Sequence, residues 1–354
     1  MLKTVIALLA PCVLGANYAA AQDVAAGYPQ ALEMMEGASP AGAAADAAVP
    51  SLADLKAEDV NDATFEEGSE GLEGAQPLAL RTQILLDRAD VSPGVIDAFW
   101  GENVTKALSA YQKGKGLRES GRLDEATFSS LANADAGPVL VSYEITAEDV
   151  SGQFGVLPTD YAELAKLKSL HYASPLEMFG ERFHMDTDLL AALNHSSKFG
   201  AGETILVADV GKAAEGERIV TKIRADKRTG QLIAYDSDGN MVTAYPATIG
   251  SDSAPSPAGD HKVSGIAVDP VYYYDPKNFK QGNNTEKLEL PAGPNSPVGS
   301  VWIDLTEPTY GIHGTPEPSK IDKSYSHGCV RLTNWDAEEL ARLVKIGAVV
   351  SFVD

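Results

Sequence analysis

Apolar residues recur at three- and four-residue steps in three stretches between Leu78 and Leu131, namely LALRTQILLDRA, GENVTKALSAYQKG and DEATFSSLAN. In the middle stretch Val104, Ala107, Leu108 and Tyr111 fall on one face, and Asp124 stands where it caps the third. The pattern therefore predicts a compact three-helix unit over residues 78–135. Between residues 141 and 210 the texture is mixed: YEITAEDV reads as a strand, and a stretch containing Pro158 follows. SPLEMFGERF and the run from Leu189 to Leu193 then read as helices, and TILVADV as a Gly-bounded strand. From Glu217 onward apolar and polar positions alternate, in ERIVTKIRAD, QLIAYDSDGNMVTAYPATIG, HKVSGIAV, SVWIDL, TYGIHG and GAVVSFV. Turn signals stand at Arg228-Thr229-Gly230 and Ser237-Asp238-Gly239. Only NWDAEELARLV reads as a clear helix there, opened by Thr333 with Asp336 at capping-box spacing. The prediction is a multidomain chain: a small three-helix domain, an α+β module over 141–210, and a mostly β domain with one clear helix over 217–354.

What precedes the first helix has a different character. MLKTVIALLAPCVLGANYAAAQ sets one lysine, Lys3, before an apolar stretch and small residues ending at Ala21, which is the grammar of a secretory signal peptide. Residues 1–21 are therefore expected to be absent from the working protein, which is expected to be exported to the periplasm or cell wall. No other stretch approaches the ~20 apolar residues of a membrane span. Residues 22–77 hold twelve carboxylates against Lys56 alone, are rich in Ala and Gly and show no sustained period, so they predict an acidic disordered tether. The formal net charge of -22 argues against nucleic acid as a partner.

Once Cys12 is removed with the leader, Cys329 is the remaining cysteine, in a compartment where an idle thiol is at risk of oxidation. His313 and His327 both lie within sixteen positions of it. A histidine beside a cysteine can take its proton or stabilise its thiolate, making it a nucleophile. Two histidines and a cysteine equally suit a metal site with an open position, and residue type alone leaves both readings, and a structural one, standing. In an extended SHGC segment His327 and Cys329 share one face while Ser326 and Gly328 take the other. Gly328 would admit a close backbone or substrate, and the amides around it and Cys329 could face an oxyanion. His313 closes a β run just before Gly314, where a loop begins.

IHGT followed by SHGCVRLTN resembles the signature of the L,D-transpeptidases, the YkuD-type cell-wall enzymes, and SPAGDHKV and PNSPVGSVWIDL are similar to segments leading to it. The resemblance spans most of residues 217–354. It implies that Cys329 is the nucleophile and His313 the general base. Ser326, His327 and Gly328 would shape the pocket and oxyanion site, and Arg331 and Gly314 would meet substrate, with an internal ion pair as the other role for Arg331. It further implies a secreted cysteine transpeptidase using no metal or organic cofactor. Its partner would be peptidoglycan: a tetrapeptide donor acylates the cysteine, D-alanine leaves, and a stem-peptide amine resolves the thioester as a 3-3 cross-link. Carbapenems are expected to acylate the same sulfur. A hydrolase using the same site, or a non-catalytic peptidoglycan-binding protein, is the alternative. Residues 78–135, through QILLDR, GVIDAFWGENVTKALSAYQ and GRLDEATFSSL, resemble a peptidoglycan-binding helical domain, and residues 141–210 resemble a degenerate LysM module interrupted after its first strand.

Overall fold

The computed structural model describes residues 49–354 apart from 135–136, 212–218, 252–253, 278–279, 324–325 and 327. A short helix, α1 (Ala57–Asn61), precedes three longer ones, α2 (Pro77–Arg88), α3 (Glu102–Gly114) and α4 (Glu125–Ala134). Proline at the start of α2 loses nothing by lacking an N–H, and Asp124 Oδ1 accepts from the Thr127 amide at 2.8 Å to open α4. Val104, Ala107, Leu108 and Tyr111 are all buried in the core, and the Tyr111 hydroxyl lies 2.9 Å from Ser130 Oγ.

Beyond this unit come β1 (Leu140–Glu144), α5 (Tyr161–Leu164), α6 (Pro175–Arg182), α7 (Thr187–Leu193) and β2 (Thr204–Ala208). Strands β1 and β2 pair antiparallel from Leu140↔Ala208 to Glu144↔Thr204, and α6 and α7 lie between them in sequence. The module and the helical unit are not separate bodies. Leu80, Ile84, Val104, Phe179, Leu189, Ile205 and Val207 belong to one continuous apolar core, which also takes in Ile233 and Ala244 from the domain that follows.

The acidic segment departs from expectation. Residues 22–48 of the expected tether lie outside the described residues, but 49–77 are ordered against this shared core. Val60 is fully buried, and Leu52, Leu55 and Phe65 pack on the same cluster. The Asn61 carboxamide pairs with β1 on both sides, accepting from the Val139 and Leu140 amides at 2.8 and 2.9 Å and donating to the Leu140 carbonyl at 3.1 Å. Too little apolar surface to fold alone is enough to dock when a neighbour supplies the rest of the core.

The third part is a sheet of nine strands: β3 (Val220–Asp226), β4 (Gln231–Tyr235), β5 (Met241–Pro246), β6 (Thr248–Ile249), β7 (Gly259–Val268), β10 (Val301–Leu305), β11 (Gly311–His313), β12 (Val330–Arg331) and β13 (Val344–Val353). A separate hairpin, β8 (Tyr272–Tyr274) with β9 (Leu288–Leu290), and one long helix, α8 (Asn334–Leu343), complete it. The order across the large sheet is β5-β4-β3-β13-β7-β10-β11-β12-β6. Thr333 caps α8 by accepting from the Asp336 amide at 3.2 Å, and the inner face of α8, with Leu340 and Ala341, covers Val220, Ile303, Ile312 and Val330.

Where α8 meets the two N-terminal parts, acids are buried together. Glu181 of α6 accepts two hydrogen bonds from Asn334 Nδ2, at 3.0 and 2.9 Å. His184 Nδ1 lies 3.0 Å from Asp87 of α2, and its ring stacks on Trp335 at 5.1 Å. Burial raises the carboxyls of Glu181 and Asp336 to about 8 and, helped by the charges of Asp90 and Asp87, that of Glu339 to about 7. Burial opposes protonation of His184, but Asp87 outweighs it and the imidazole is raised. All four shifts have one sign. The unfolded chain releases its carboxyl protons near pH 4, whereas the folded chain keeps them until about pH 7 to 8, so this stabilisation is full at low pH and drains as pH rises across that window. Stability should fall by on the order of a few kcal/mol between pH 5 and pH 8. Thermal melts at the two pH values check this; a higher melting temperature at pH 8 would contradict it.

Candidate active site

Strands β10, β11 and β12 carry the residues that the sequence singles out. His313 ends β11, facing Trp302 of antiparallel β10 and Arg331 of parallel β12 in the register. Cys329, just before β12, lies in one apolar cluster with Trp302 of β10. The Trp302 and His313 rings stack at 5.6 Å and 16°. Gly311 makes room for this: a Cβ there would stand 2.5 Å from the indole.

His313 is 2% exposed. Its Nδ1 lies 2.6 Å from the Gly314 carbonyl, an acceptor only, so Nδ1 carries the proton and Nε2 the lone pair. Burial lowers its pKa to about 3, the Arg331 charge adds to the effect, and the bond to Gly314 works against it. The imidazole is thus a neutral base held in one tautomer by a backbone carbonyl.

Gly314 serves that arrangement and also lies against α8. A Cβ on Gly314 would run into Asn334 Oδ1, the atom that accepts from the Ser300 amide at 3.2 Å. Gly314→Ala should therefore cost about 1–3 kcal/mol, the usual penalty of overpacking, read as a drop in the denaturant midpoint at constant slope. An unchanged midpoint would show that Asn334 yields freely.

The segment leading to Cys329 is tied to the loop after β6. Ser326 Oγ accepts from the Gly250 amide at 2.7 Å and donates to the Cys329 carbonyl at 2.6 Å, while the Ser326 amide donates to the Gly250 carbonyl at 3.2 Å. Gly328 holds φ at +110°, and a Cβ there would stand 2.6 Å from the Tyr310 ring, so glycine is required on both grounds. His327 lies outside the described residues.

Cys329 differs from the expectation of an open, ionised thiol. It is 1% exposed, and its Sγ lies 3.8 Å from the Thr309 carbonyl. The His313 imidazole, lowered to about 3, is uncharged near neutral pH, so it is a proton acceptor and not a cation that could stabilise a thiolate.

Arg331, 5% exposed, is lowered by burial, against which the charges of Glu317 and Tyr161 act. The guanidinium thus faces groups of this chain. Among the described residues no group of three or more His, Cys, Asp or Glu is placed to hold a metal ion. Sequence reasoning missed Trp302, Asn334 and Tyr161. Gly311, which makes room for Trp302, and Gly299 and Gly314, which make room for Asn334, are the traces that the first two leave. Tyr161 leaves none.

The mostly β domain thus places a histidine at the end of β11 and a cysteine at the entry to the neighbouring β12. Residues 221–351 match the YkuD family model, the L,D-transpeptidase catalytic domain. Residues 79–131 match the model of a peptidoglycan binding domain. The chain is 28% identical over 157 residues to the Bacillus licheniformis protein that carries the name L,D-transpeptidase YkuD, covering 44% of this chain and 78% of that one. It is 30% identical over 128 residues to the probable L,D-transpeptidase YbiS of Escherichia coli strain K12, covering 35% of this chain and 42% of the other. Among solved structures, L,D-transpeptidase 3 of Mycobacterium tuberculosis aligns at 17% identity and a TM-score of 0.32, covering 43% of this chain and 68% of the other. An L,D-transpeptidase of Xylanimonas cellulosilytica aligns at 16% and 0.34, covering 79% and 94%.

Proposed function

We propose that the chain is a secreted cysteine transpeptidase that takes an acyl group from a peptidoglycan stem peptide onto Cys329 and passes it to an amine. The observation that carries this reading is His313, a buried neutral base with its Nε2 lone pair uncommitted by the Nδ1 bond, stacked on Trp302, which shares an apolar cluster with Cys329. The reaction needs Cys329 as a thiol. Removal of a leader that contains Cys12 takes away the other cysteine of the sequence.

In this mechanism the thiol starts uncharged. Its proton passes to His313 Nε2 as sulfur attacks the carbonyl of the third residue of a tetrapeptide donor, at the L-centre of a diamino acid. Amides at Gly328 and Cys329 face the oxyanion. The imidazolium then protonates the departing amine, D-alanine leaves, and a thioester remains. An amine of a second stem peptide attacks the thioester, His313 takes its surplus proton, and the thiolate leaves and is reprotonated, giving a 3-3 cross-link. The chemistry asks for no metal or organic cofactor. The helical domain and the strand–helix–helix–strand module would hold the enzyme at the wall.

The test is intact-mass analysis of the chain beginning at residue 22 after brief exposure to disaccharide-tetrapeptide. An adduct on Cys329 with stoichiometric D-alanine release is expected, as is an adduct with a carbapenem. Sacculus binding with no adduct of either kind would favour a wall-binding protein instead. D-Alanine release without a cross-linked product would make water the acceptor.

A further inference from the structure

Helix α6 sets two carboxyls of the N-terminal module against the catalytic domain. Ser174 opens the helix by accepting from the Glu177 amide at 3.2 Å, and Glu177 and Glu181, four apart, fall on one face. Each meets a carboxamide from the other domain. Asn295 Nδ2 donates to Glu177 Oε1 at 2.8 Å and to the His171 carbonyl at 3.0 Å, so both of its hydrogens go to the N-terminal module. Asn334 Nδ2 shares one hydrogen between the two oxygens of Glu181 and gives the other to the Pro294 carbonyl at 3.1 Å. Burial, with the charges of Glu177 and Glu338 added, keeps Glu181 protonated near neutral pH, so it meets Asn334 as an uncharged group.

With both Nδ2 hydrogens committed, the orientation of the Asn334 carboxamide is set, and its oxygen takes the opposite side. There Oδ1 accepts from the Ser300 amide at 3.2 Å and packs on two glycines. A Cβ on either Gly299 or Gly314 would run into Oδ1, and one on Gly299 would also stand 2.6 Å from the Gly314 carbonyl carbon. The Gly314 amide donates to the Val301 carbonyl at 3.3 Å. The Gly314 peptide is therefore gripped between residues 299–301 and the first residue of α8. Its carbonyl is the one that lies 2.6 Å from His313 Nδ1. Contacts thus run without a gap from α6 to the imidazole, through Glu181, Asn334 and Gly314.

We propose that Glu181, a residue of the N-terminal module, is a positioning residue for His313: through Asn334 it holds the Gly314 peptide so that its carbonyl keeps the proton on Nδ1 and leaves Nε2 as the base. Without the Glu181 carboxyl, Asn334 has a buried donor with no acceptor, and a buried donor left unpaired drives its group to turn until it finds one. Rotation of the carboxamide withdraws Oδ1 from Gly314 and Ser300 and frees the peptide that orients the ring. The imidazole then divides its time between two tautomers, of which one has no lone pair on Nε2. The N-terminal module therefore helps to form the site and does more than attach the enzyme to its substrate. The effect on turnover rests on the transpeptidase reading, but the fixing of the His313 tautomer does not.

The test uses the full chain with Cys329 kept reduced. It follows the NMR signal of the His313 Nδ1–H without substrate, and kcat and KM for D-alanine release from the tetrapeptide donor. Glu181→Leu keeps the bulk and removes the acceptor. The Nδ1–H signal should weaken or vanish through exchange with water, and kcat should fall by about 10- to 100-fold with KM little changed, as for a base displaced by a fraction of an ångström to one ångström. Glu181→Gln keeps an acceptor oxygen for Asn334 and should restore the signal and most of the turnover, a separation of Gln from Leu that a role in packing alone would not produce. If Glu181→Leu does not fold, Asn334→Ala removes the intermediary and carries the same measurement. A folded variant with the parent's Nδ1–H signal and kcat overturns the proposal, as does an equal loss in Glu181→Gln. Loss of the signal in Glu181→Leu, with no D-alanine release from the parent, keeps the positioning role and overturns the transpeptidase reading.

Discussion

Cys329→Ala should abolish D-alanine release, by at least about 10^4-fold, because the removed sulfur is the atom that would carry the acyl group. The fold should survive, since the residue is a small buried one at the entry to β12 whose backbone carbonyl is held by Ser326. The comparison with Cys329→Ser is the sharper one. A serine hydroxyl holds its proton far more tightly than a thiol, and a base lowered to about 3 is a weak acceptor, so serine should rescue almost nothing. Measurement is by chromatographic quantification of D-alanine from purified variants of the chain beginning at residue 22. Turnover by Cys329→Ala within tenfold of the parent would end the covalent reading.

His313→Ala should lower kcat/KM by about 10^2 to 10^4-fold, the range of a positioned general base. The pH profile separates this role from that of a preformed cation. A histidine in water titrates near 6.5, but burial and the Arg331 charge bring His313 to about 3, so its neutral form persists on lowering the pH until about pH 4. The acid limb of kcat/KM in the parent should therefore lie below about pH 4, with no step near 6.5. A midpoint near 6.5 that vanishes in His313→Ala would show instead that the working site hydrates the imidazole and charges it. Arg331→Met tests the cause: with one positive neighbour gone, the acid limb should move upward.

Much of the architecture was legible because local pattern and tertiary environment agree. The 3.6-residue stripe of α3 faces a core, and the alternation in SVWIDL and GAVVSFV matches strands that are buried along one face or both. Thr333 caps its helix as its spacing predicts, since capping needs only residues three apart. The failures share a physical cause. Residues 49–77 hold too few apolar groups to fold alone, and composition does not reveal that Val60 and Phe65 can borrow a neighbour's core. The stretch around Tyr161 looks like an interruption of the module because the surface it fits, Gly293 and the β8–β9 hairpin, lies more than a hundred residues further on. In the candidate site, residue type pointed to Cys329 with His313 or His327, and only the family resemblance chose His313. The orienting carbonyl of Gly314 could not be read, because a backbone acceptor leaves no side-chain signature, and the shielding of the sulfur depends on segments distant in sequence.

The placement of β13 has a consequence for how the chain assembles. It is the one strand that joins β5-β4-β3 to β7-β10-β11-β12-β6, pairing with β3 on one side and β7 on the other. Until residues 344–353 arrive, the sheet exists as two fragments with raw edges that invite pairing between molecules. Such a high contact order makes closure late and slow, and a nascent chain cannot complete the sheet while β13 is still inside the ribosome. Anything that delays the pairing of β13 therefore prolongs the exposure of both edges.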